Sequence, residues 1–168
     1  MIGDVLASSM ICNNLRNEYP KAQIDYLVYP FTKPILENNP NIDHIIQFSD
    51  EIQNNWFRFA KFIISIKQTN YVIVIVAYGK IESTLITRFS GAPKRIGFKE
   101  KEKFGAYNFP VEHHNKPRTT AGLAIERREN LLKDLMTKQI DNFPMLFVSE
   151  SEKQKARDLL RKKGIDFG

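Results

Sequence analysis

The sequence is poor in cysteine and has no long apolar run. Cys12 is its single cysteine among 168 residues, which excludes an internal disulfide framework and fits a reducing compartment. Cys12 falls within the first predicted helix, where a buried structural thiol is expected rather than a nucleophile. Nothing approaches the roughly 18 consecutive apolar residues of a membrane-spanning helix. The first residues lack a basic region followed by an apolar core and a cleavage site, so we expect no signal peptide.

The motifs of several enzyme classes are also missing. There is no Gly-x-Gly-x-x-Gly turn, no phosphate-binding glycine loop and no serine nucleophile elbow, so dehydrogenases, kinases and serine hydrolases lack support. Glu112, His113 and His114 are adjacent, and adjacent side chains rarely converge on one ion. No second Cys or His pair lies at ligand spacing, so the sequence predicts no metal site.

Positive charge is present in excess and is unevenly placed. The formal net charge is +6, with 8 basic and 8 acidic side chains in residues 1–93 against 17 and 11 in residues 94–168. A basic surplus suits an anionic partner, such as a phosphorylated sugar, an acidic lipid surface or nucleic acid. The alternative is an ordinary solvated surface with a basic bias.

Strand patterns alternate with helix patterns along the whole chain. Residues 71–76 are six successive strand-forming residues without alternation, which is typical of a strand covered on both faces in a parallel sheet. The pattern predicts an α/β fold with a doubly wound parallel sheet in a single domain, residues 1–168. The predicted strands are 24–29, 42–48, 71–76, 94–98 and 145–148. The predicted helices begin at Asp4, Thr32, Asp50, Ile81, Thr119 or Thr120, and Ser149.

Two stretches between these elements are unusual. Residues 99–118 are rich in basic side chains and read as a long exposed loop, which is commonly functional or mobile. The predicted helix through Lys67 carries apolar side chains over an arc wider than a one-sided surface helix needs. Most of this arc is expected in the core, and the aromatic surplus beside Arg58 and Lys61 suits a membrane surface.

The first residues predict a turn that leads into a helix. Gly3 permits a tight turn, and Asp4 stands where the helix would begin, either to cap it or to act chemically. A carboxylate at the carboxyl end of a strand can accept the proton of an attacking hydroxyl. No residues precede Met1 to form that strand.

These residues resemble a known family. Gly3-Asp4-Val5-Leu6, with Leu15-Arg16 and Tyr19-Pro20 before the strand at 24–28, is similar to the N-terminal domain of glycosyltransferase family 9, the lipopolysaccharide heptosyltransferases. In that family a strand runs into the Gly-Asp turn, and the aspartate is the proposed general base. The resemblance therefore implies a catalytic role for Asp4.

A second block carries the more specific part of the resemblance. Gly79, Ser83 and Arg88, followed by the run 90–98, are similar to the family's segment after its central strand. Gly79 would be a turn glycine there. The sequence departs from the family pattern at Val76, Tyr78 and Glu82.

The third block is shorter. Leu123-Ala124-Ile125-Glu126-Arg127 resembles the family's His-x-Val-Glu-Arg helix start, with Leu123 in place of the histidine. Arg127 is retained, and its planar fork suits a phosphate or carboxylate or an ion pair with a neighbouring acidic residue. Lys94 and Arg95 are further candidates for binding an anionic acceptor.

The resemblance implies a GT-B enzyme of two Rossmann-like domains. This chain would be the acceptor-side N-terminal half, with the nucleotide-sugar domain absent and the first strand missing from the middle of the sheet. The whole protein would transfer a heptose, with inversion, from ADP-heptose to a phosphorylated glycolipid acceptor in the lipopolysaccharide inner core. We expect no cofactor, no nucleic-acid partner, and a cytoplasmic location, peripheral on the inner membrane.

Two further expectations follow from the missing parts. The sheet should have a central gap, which would leave the 168-residue chain marginally stable, and the fragment alone should be inactive. The competing hypothesis is a non-catalytic α/β module that binds anionic glycolipid or nucleic acid through its basic surface. The departures at Val76, Tyr78, Glu82 and Leu123 favour that alternative.

Overall fold

Helices and short parallel strands alternate in the computed structural model, which describes residues 2–112 and 114–165. The helices are α1 (Ile2–Glu18), α2 (Asp50–Gln53), α3 (Trp56–Gln68), α4 (Ile81–Phe89), α5 (Leu123–Leu132) and α6 (Glu150–Lys162). The strands are β1 (Asp25–Val28), β2 (His44–Gln47), β3 (Ile73–Val76), β4 (Lys94–Phe98) and β5 (Phe109–Val111). Short 3-10 helices cover Pro30–Ile35, Lys99–Lys101 and Lys133–Leu135.

The strands form two parallel sheets. β1 pairs with β2, and Tyr26 lies opposite Ile45. β4 lies between β3 and β5, and Ile75 lies opposite Ile96. The predicted α/β class with parallel strands is confirmed, while no strand among the described residues joins β1 to β3. The break between the two sheets, between β1 and β3, corresponds to the central gap that the sequence analysis predicted.

Two apolar clusters hold the helices against these sheets. One cluster joins α1, β4 and α5. The other joins β2, α3 and α4 around Phe48 and Phe59, whose rings meet edge to face at 5.9 Å. Cys12 is buried in α1, as predicted, and burial raises the pKa of its thiol to about 12. Cys12 is therefore a structural residue.

The predicted turn at Gly3 is wrong. α1 begins at Ile2, so Gly3 and Asp4 both lie within its first turn. A Cβ atom added at Gly3 would meet nothing within 4 Å. No steric or backbone requirement for glycine is visible at this position.

The helix predicted through Lys67 is interrupted near its start. α2 ends at Gln53, and α3 begins at Trp56. The side chain of Asn55 accepts a hydrogen bond from the backbone N–H of Arg58 at 3.0 Å and so caps a new helix. An asparagine side chain that bonds to the local backbone competes with helix continuation, which explains the break.

The outward face of α3 is more exposed than predicted. Phe59 and Ile66 are buried, and Phe62 and Ile63 pack against their cluster. Trp56 and Phe57, in contrast, are 72% and 83% exposed.

Residues 99–148 contain three further differences from the predicted elements. The predicted loop 99–118 includes β5, an edge strand that tolerates Pro110 because an edge strand need not donate on both sides. The predicted helix from Thr119 begins only at Leu123, after Gly122 with a φ of +85°. Residues 145–148 form no strand, and Leu146 is 54% exposed.

The last helix agrees with its sequence signal. Ser149 and Glu152 form the predicted capping box, in which the Ser149 N–H donates to Glu152 Oε2 at 2.8 Å and the Glu152 N–H donates to Ser149 Oγ at 3.3 Å. α6 has no buried residue. Along the described part of the chain, no helix combines the length and the apolar character that crossing a bilayer requires.

Candidate functional site

A cavity of about 600 Å³ lies between β1 and β3. α1 covers one side through Ile11 and Leu15, and α3 and α4 cover the other through Ile66 and Ile86. The cavity continues to the carboxyl ends of the strands, where Asp4 is among its lining residues. Ligands of open α/β sheets gather at this edge.

Asp4 is held by a buried arginine at the mouth of the cavity. Arg128 Nη2 lies 3.3 Å from Asp4 Oδ1 and 3.2 Å from the Asp4 carbonyl oxygen. The arginine side chain is 7% exposed, whereas that of Asp4 is 40% exposed. The carboxylate therefore has one fixed partner and still faces solvent.

The rest of the Arg128 guanidinium is also satisfied by fixed groups. Its Nε donates to Ser8 Oγ at 2.7 Å, and Ser8 Oγ in turn donates to the Asp4 carbonyl oxygen at 2.7 Å. Its Nη1 donates to the carbonyl oxygen of Ala124 at 2.6 Å. Arg128 thus ties α5 to the first two turns of α1 and fixes the backbone that carries Asp4.

Polar and aromatic side chains complete the mouth of the cavity. Lys80 Nζ donates to Tyr29 OH at 3.3 Å, and this hydrogen bond raises the pKa of Lys80. Ser83 Oγ accepts from the backbone N–H of Lys80 at 2.9 Å. Tyr78 lines the same mouth and is 56% exposed. A carboxylate, an ammonium group and hydroxyls thus line one cavity together with aromatic rings, a combination that suits a sugar.

A second polar cluster anchors the loop before α5. Glu126 is buried and accepts from Thr119 Oγ1 at 2.7 Å, His114 Nε2 at 2.6 Å and the Arg118 backbone N–H at 2.9 Å. The hydrogen bonds from Thr119 and His114 hold the pKa of Glu126 down at about 2. Glu126 therefore organises the loop rather than facing a ligand.

Lys94 and Arg95 lie at the opposite edge from Asp4. They begin β4, opposite Ile73 and Val74 at the amino end of β3. Lys94 lies over the ring of Phe109 at 4.9 Å. Arg95 donates to the carbonyl oxygens of Ala106 and Ala92, both at 2.8 Å. Their role in anion binding stays a prediction, and the fold does not bring them together with Asp4.

The other predicted residues have varied surroundings. The hydrogen bonds of the Arg127 guanidinium are long, at 3.4 and 3.5 Å to the carbonyl oxygen of His114 and 3.5 Å to Asn115 Oδ1. Gly79 lies in the loop after β3, where an added Cβ would lie 2.6 Å from Lys101 Cβ, so close packing explains the glycine. Glu82 accepts from Gln53 Nε2 at 3.0 Å. His113 lies outside the described residues.

The sequence interpretation missed Arg128, although a signal was present. Arg128 precedes Leu131 by three positions and Leu132 by four, so it falls on the apolar face of its helix. An arginine at a core position needs fixed partners. That requirement points to a buried polar site, which here includes Asp4.

Comparisons with known proteins match this chain to sugar transferases. The family model described as glycosyltransferase family 9 (heptosyltransferase) matches residues 59–166. Lipopolysaccharide heptosyltransferase 3 of Escherichia coli strain K12 is 34% identical over 80 residues, which are 44% of this chain and 22% of that protein.

Two solved structures share the fold. The family 9 glycosyl transferase of Veillonella parvula superposes with a TM-score of 0.74 at 19% identity, over 99% of this chain and 47% of that one. The ADP-heptose lipopolysaccharide heptosyltransferase II of Escherichia coli gives 0.69 at 20% identity, over 98% and 48%. This chain thus spans about half the length of the solved structures it matches.

Proposed function

Because the chain belongs to glycosyltransferase family 9, the heptosyltransferase family, we propose that it provides the acceptor side of an enzyme that transfers a heptose to lipopolysaccharide. The donor proposed is ADP-heptose, the nucleotide sugar in the name of one structural relative. The acceptor proposed is a phosphorylated inner-core glycolipid. Neither substrate calls for a resident cofactor.

The observation that carries this proposal is the placement of Asp4. Its side chain is 40% exposed at the carboxyl edge of the strands, while Arg128 fixes its backbone and one carboxylate oxygen. A carboxylate held in this way can accept a proton without first reorganising.

The proposed step moves one proton and one sugar. An acceptor hydroxyl oxygen attacks the anomeric carbon of the heptose as the bond from that carbon to the diphosphate oxygen breaks. The hydroxyl proton passes to the Asp4 carboxylate, and ADP leaves. Attack from the face opposite the leaving group inverts the anomeric centre. Tyr78, Lys80 and Ser83 lie where they can contact acceptor hydroxyl or phosphate groups.

Transfer from ADP-heptose to a truncated lipopolysaccharide acceptor tests this proposal. The protein is the chain in a longer form that carries a donor domain, and Asp4→Asn is compared with Asp158→Asn on exposed α6. We expect Asp4→Asn to lower kcat by about 10²-fold or more, the size of a general-base contribution. Asp158→Asn should leave kcat unchanged. Full activity in Asp4→Asn would show that Asp4 is not the general base.

We place this acceptor side at the cytoplasmic face of the inner membrane. The support is the start of α3, where Trp56 and Phe57 are exposed next to Arg58, and where Lys61 lies one turn further on. Aromatic and basic side chains together suit the headgroup region of an anionic bilayer.

Vesicle co-sedimentation tests this location. The 168-residue chain should bind vesicles that contain phosphatidylglycerol, and the double variant Trp56→Ala, Phe57→Ala should bind them at least about tenfold more weakly. Phe143→Ala is the matched control, because Phe143 is an aromatic residue 74% exposed outside the patch. Equal loss in both variants would contradict a specific membrane face.

A further inference from the structure

A second, smaller cavity of about 330 Å³ lies beside the mouth of the large one. Its walls come from the loop after β1 and from the start of α2, and they consist of Tyr29, Pro30, Phe31, Ser49, Asp50 and Glu51. Tyr29, Phe31 and Asp50 also line the large cavity, which reaches Asp4, so the two spaces adjoin. We call the smaller cavity the aromatic pocket. Its volume lies at the lower end of the range for small-molecule sites, about 300–1,000 Å³.

An exposed aromatic ring forms one wall of the aromatic pocket. Phe31 is 64% exposed, and it stacks on Tyr29 with the ring centroids 6.1 Å apart. Tyr29 in turn meets the ring of buried Phe48 edge to face at 5.9 Å. The backbone is also fixed, because Pro30 opens the 3-10 helix and the hydroxyl of buried Thr32 donates to the Tyr29 carbonyl oxygen at 2.9 Å. Phe31 is therefore a preorganised surface that a ligand can stack on.

The start of α2 supplies polar groups to the same pocket. Ser49 is the N-cap of α2, yet its hydroxyl makes no capping hydrogen bond. Glu51 forms an ion pair with Arg58. Asp50 is exposed and forms no ion pair with any of the described residues. A carboxylate and a hydroxyl are thus available to bond a ligand beside Phe31.

This combination suits a sugar ring that carries no negative charge. The electron-rich face of an aromatic ring packs against the polarised C–H groups of a sugar. An ionised carboxylate only accepts hydrogen bonds, so Asp50 can bind a sugar hydroxyl.

A phosphate group in the aromatic pocket would instead meet like charge. Asp50 and Glu51 line the pocket, and no lysine or arginine of the described residues does so. Arg58 is already paired with Glu51. The ammonium group of Lys80, in the large cavity, lies over the ring of Tyr29 at 4.8 Å and donates to its hydroxyl. The pocket therefore discriminates against an anion.

We propose that the aromatic pocket is a subsite for an unphosphorylated sugar residue of the acceptor, which stacks on Phe31 and donates a hydroxyl hydrogen bond to Asp50. This inference rests on the proposed function for the identity of the acceptor, because the bound sugar adjoins the one that reacts at Asp4. The phosphate groups of the acceptor then lie outside the aromatic pocket. Phe31 and Asp50 are specificity-determining residues of the proposed reaction.

An NMR titration of the 168-residue chain, without a sugar donor, tests this subsite. The two probes are the methyl glycoside of a heptose and the same glycoside with a phosphate on one ring hydroxyl. We expect the unphosphorylated probe to shift the backbone signals of Phe31 and Asp50. It should bind about tenfold more tightly than the phosphorylated probe, because a nearby unpaired carboxylate repels the phosphate.

Three variants make the test specific. Asp50→Asn should reduce the difference between the two probes, and Asp50→Lys should reverse it. Phe31→Ala should weaken the binding of both probes by at least about fivefold, because the stacking surface is lost. Phe143→Ala is the control for Phe31→Ala and should bind both probes as the parent does, since Phe143 is exposed and lines neither cavity.

Several results would overturn the subsite. They are equal or tighter binding of the phosphorylated probe by the parent chain, an unchanged preference in Asp50→Lys, and no response of the Phe31 and Asp50 signals to the unphosphorylated probe. Tighter binding of an amino-sugar glycoside than of the heptoside would identify a cationic sugar as the occupant instead.

Failure of the subsite and failure of the proposed function are distinguishable. Sugar binding at Phe31 and Asp50 in a protein that transfers no heptose would overturn the proposed enzyme and leave the subsite. Transfer that depends on Asp4, in a protein whose Phe31 and Asp50 signals do not respond to the probe, would overturn the subsite alone.

Discussion

Arg128 and Arg127 are neighbours in sequence with opposite environments. Arg128 is buried and donates to Ser8, Ala124 and Asp4. The nearest contacts of Arg127 reach 3.4 Å or more. Arg128 therefore positions the Asp4 carboxylate, whereas the half-buried Arg127 makes only long hydrogen bonds.

Replacing each arginine by methionine should therefore have different effects. Arg128→Met removes the donor to the buried Ser8 hydroxyl and to the carbonyl oxygens of Ala124 and Asp4, and we expect a loss of about 1–3 kcal/mol in the free energy of unfolding. Arg127→Met should change it by less than about 0.5 kcal/mol. Urea unfolding followed by circular dichroism measures both. Equal losses would contradict the assignment of Arg128 as the residue that ties α1 to α5.

Glu126 predicts a specific dependence of stability on pH. Its folded pKa of about 2 lies below the ordinary value of 4.5, so its contribution to stability is complete above pH 4.5. That contribution is lost as pH falls from 4.5 through 2, because protonation ends its acceptance of hydrogen bonds from Thr119 and His114.

The variant Glu126→Gln should lose stability at pH 7 and show a weaker decline between pH 4.5 and 2 than the parent chain. Glu129→Gln on the same helix is the control and should follow the parent. Urea midpoints measured across this range report the difference. If the urea midpoints of the parent chain and of Glu126→Gln fell by the same amount between pH 4.5 and 2, the role of this carboxylate would be refuted.

At the scale of elements, long periodic patterns were predicted correctly. The helix that ends near Phe89, the strand near residues 94–98 and the capping box of α6 all lie where the sequence placed them. Their signals are local, because periodicity and caps act within a few residues.

The elements that differ from the sequence prediction depend on contacts with distant residues, which the local sequence pattern does not contain. β5 is a strand because its three residues pair with β4, and nothing in its own pattern requires that pairing. Residues 145–148 have strand-forming side chains but pair with no strand among the described residues. Strand propensity reflects packing partners more than the backbone itself.

The start of α1 contains a glycine that the helix does not require. Gly3 lies within the helix and has open space around its Cα, so Gly3→Ala should stabilise the chain, by up to about 1 kcal/mol. Thermal unfolding measures the change. Had Gly3 occupied the tight turn that the sequence suggested, alanine would destabilise the chain instead. Gly97→Ala is the contrasting variant. The added Cβ would lie 2.5 Å from the buried ring of Tyr107, so this substitution should destabilise β4.

For the whole molecule, the sequence predicted the class of fold and the place of Asp4. Asp4 was recognisable from a short motif, and strand ends in parallel sheets gather at one edge. Lys94 and Arg95 lie far from Asp4 because they occupy the amino end of β4, whereas Asp4 lies at the carboxyl edge. The strand pairing of the folded sheet shows this separation, and the local sequence does not. Arg128 was missed for a similar reason, since its partners on α1, Ser8 and Asp4, lie 120 and 124 positions away in sequence.

An acceptor that binds as proposed contacts the carboxyl edge of the strands around Asp4. The most direct measurement is NMR mapping of a truncated, phosphorylated lipopolysaccharide acceptor on the chain. We expect chemical-shift changes at Asp4, Tyr78 and Lys80, with the residues of α6 unchanged. Shifts confined to Lys94 and Arg95 at the opposite edge would contradict it and favour a binding module that uses its basic surface.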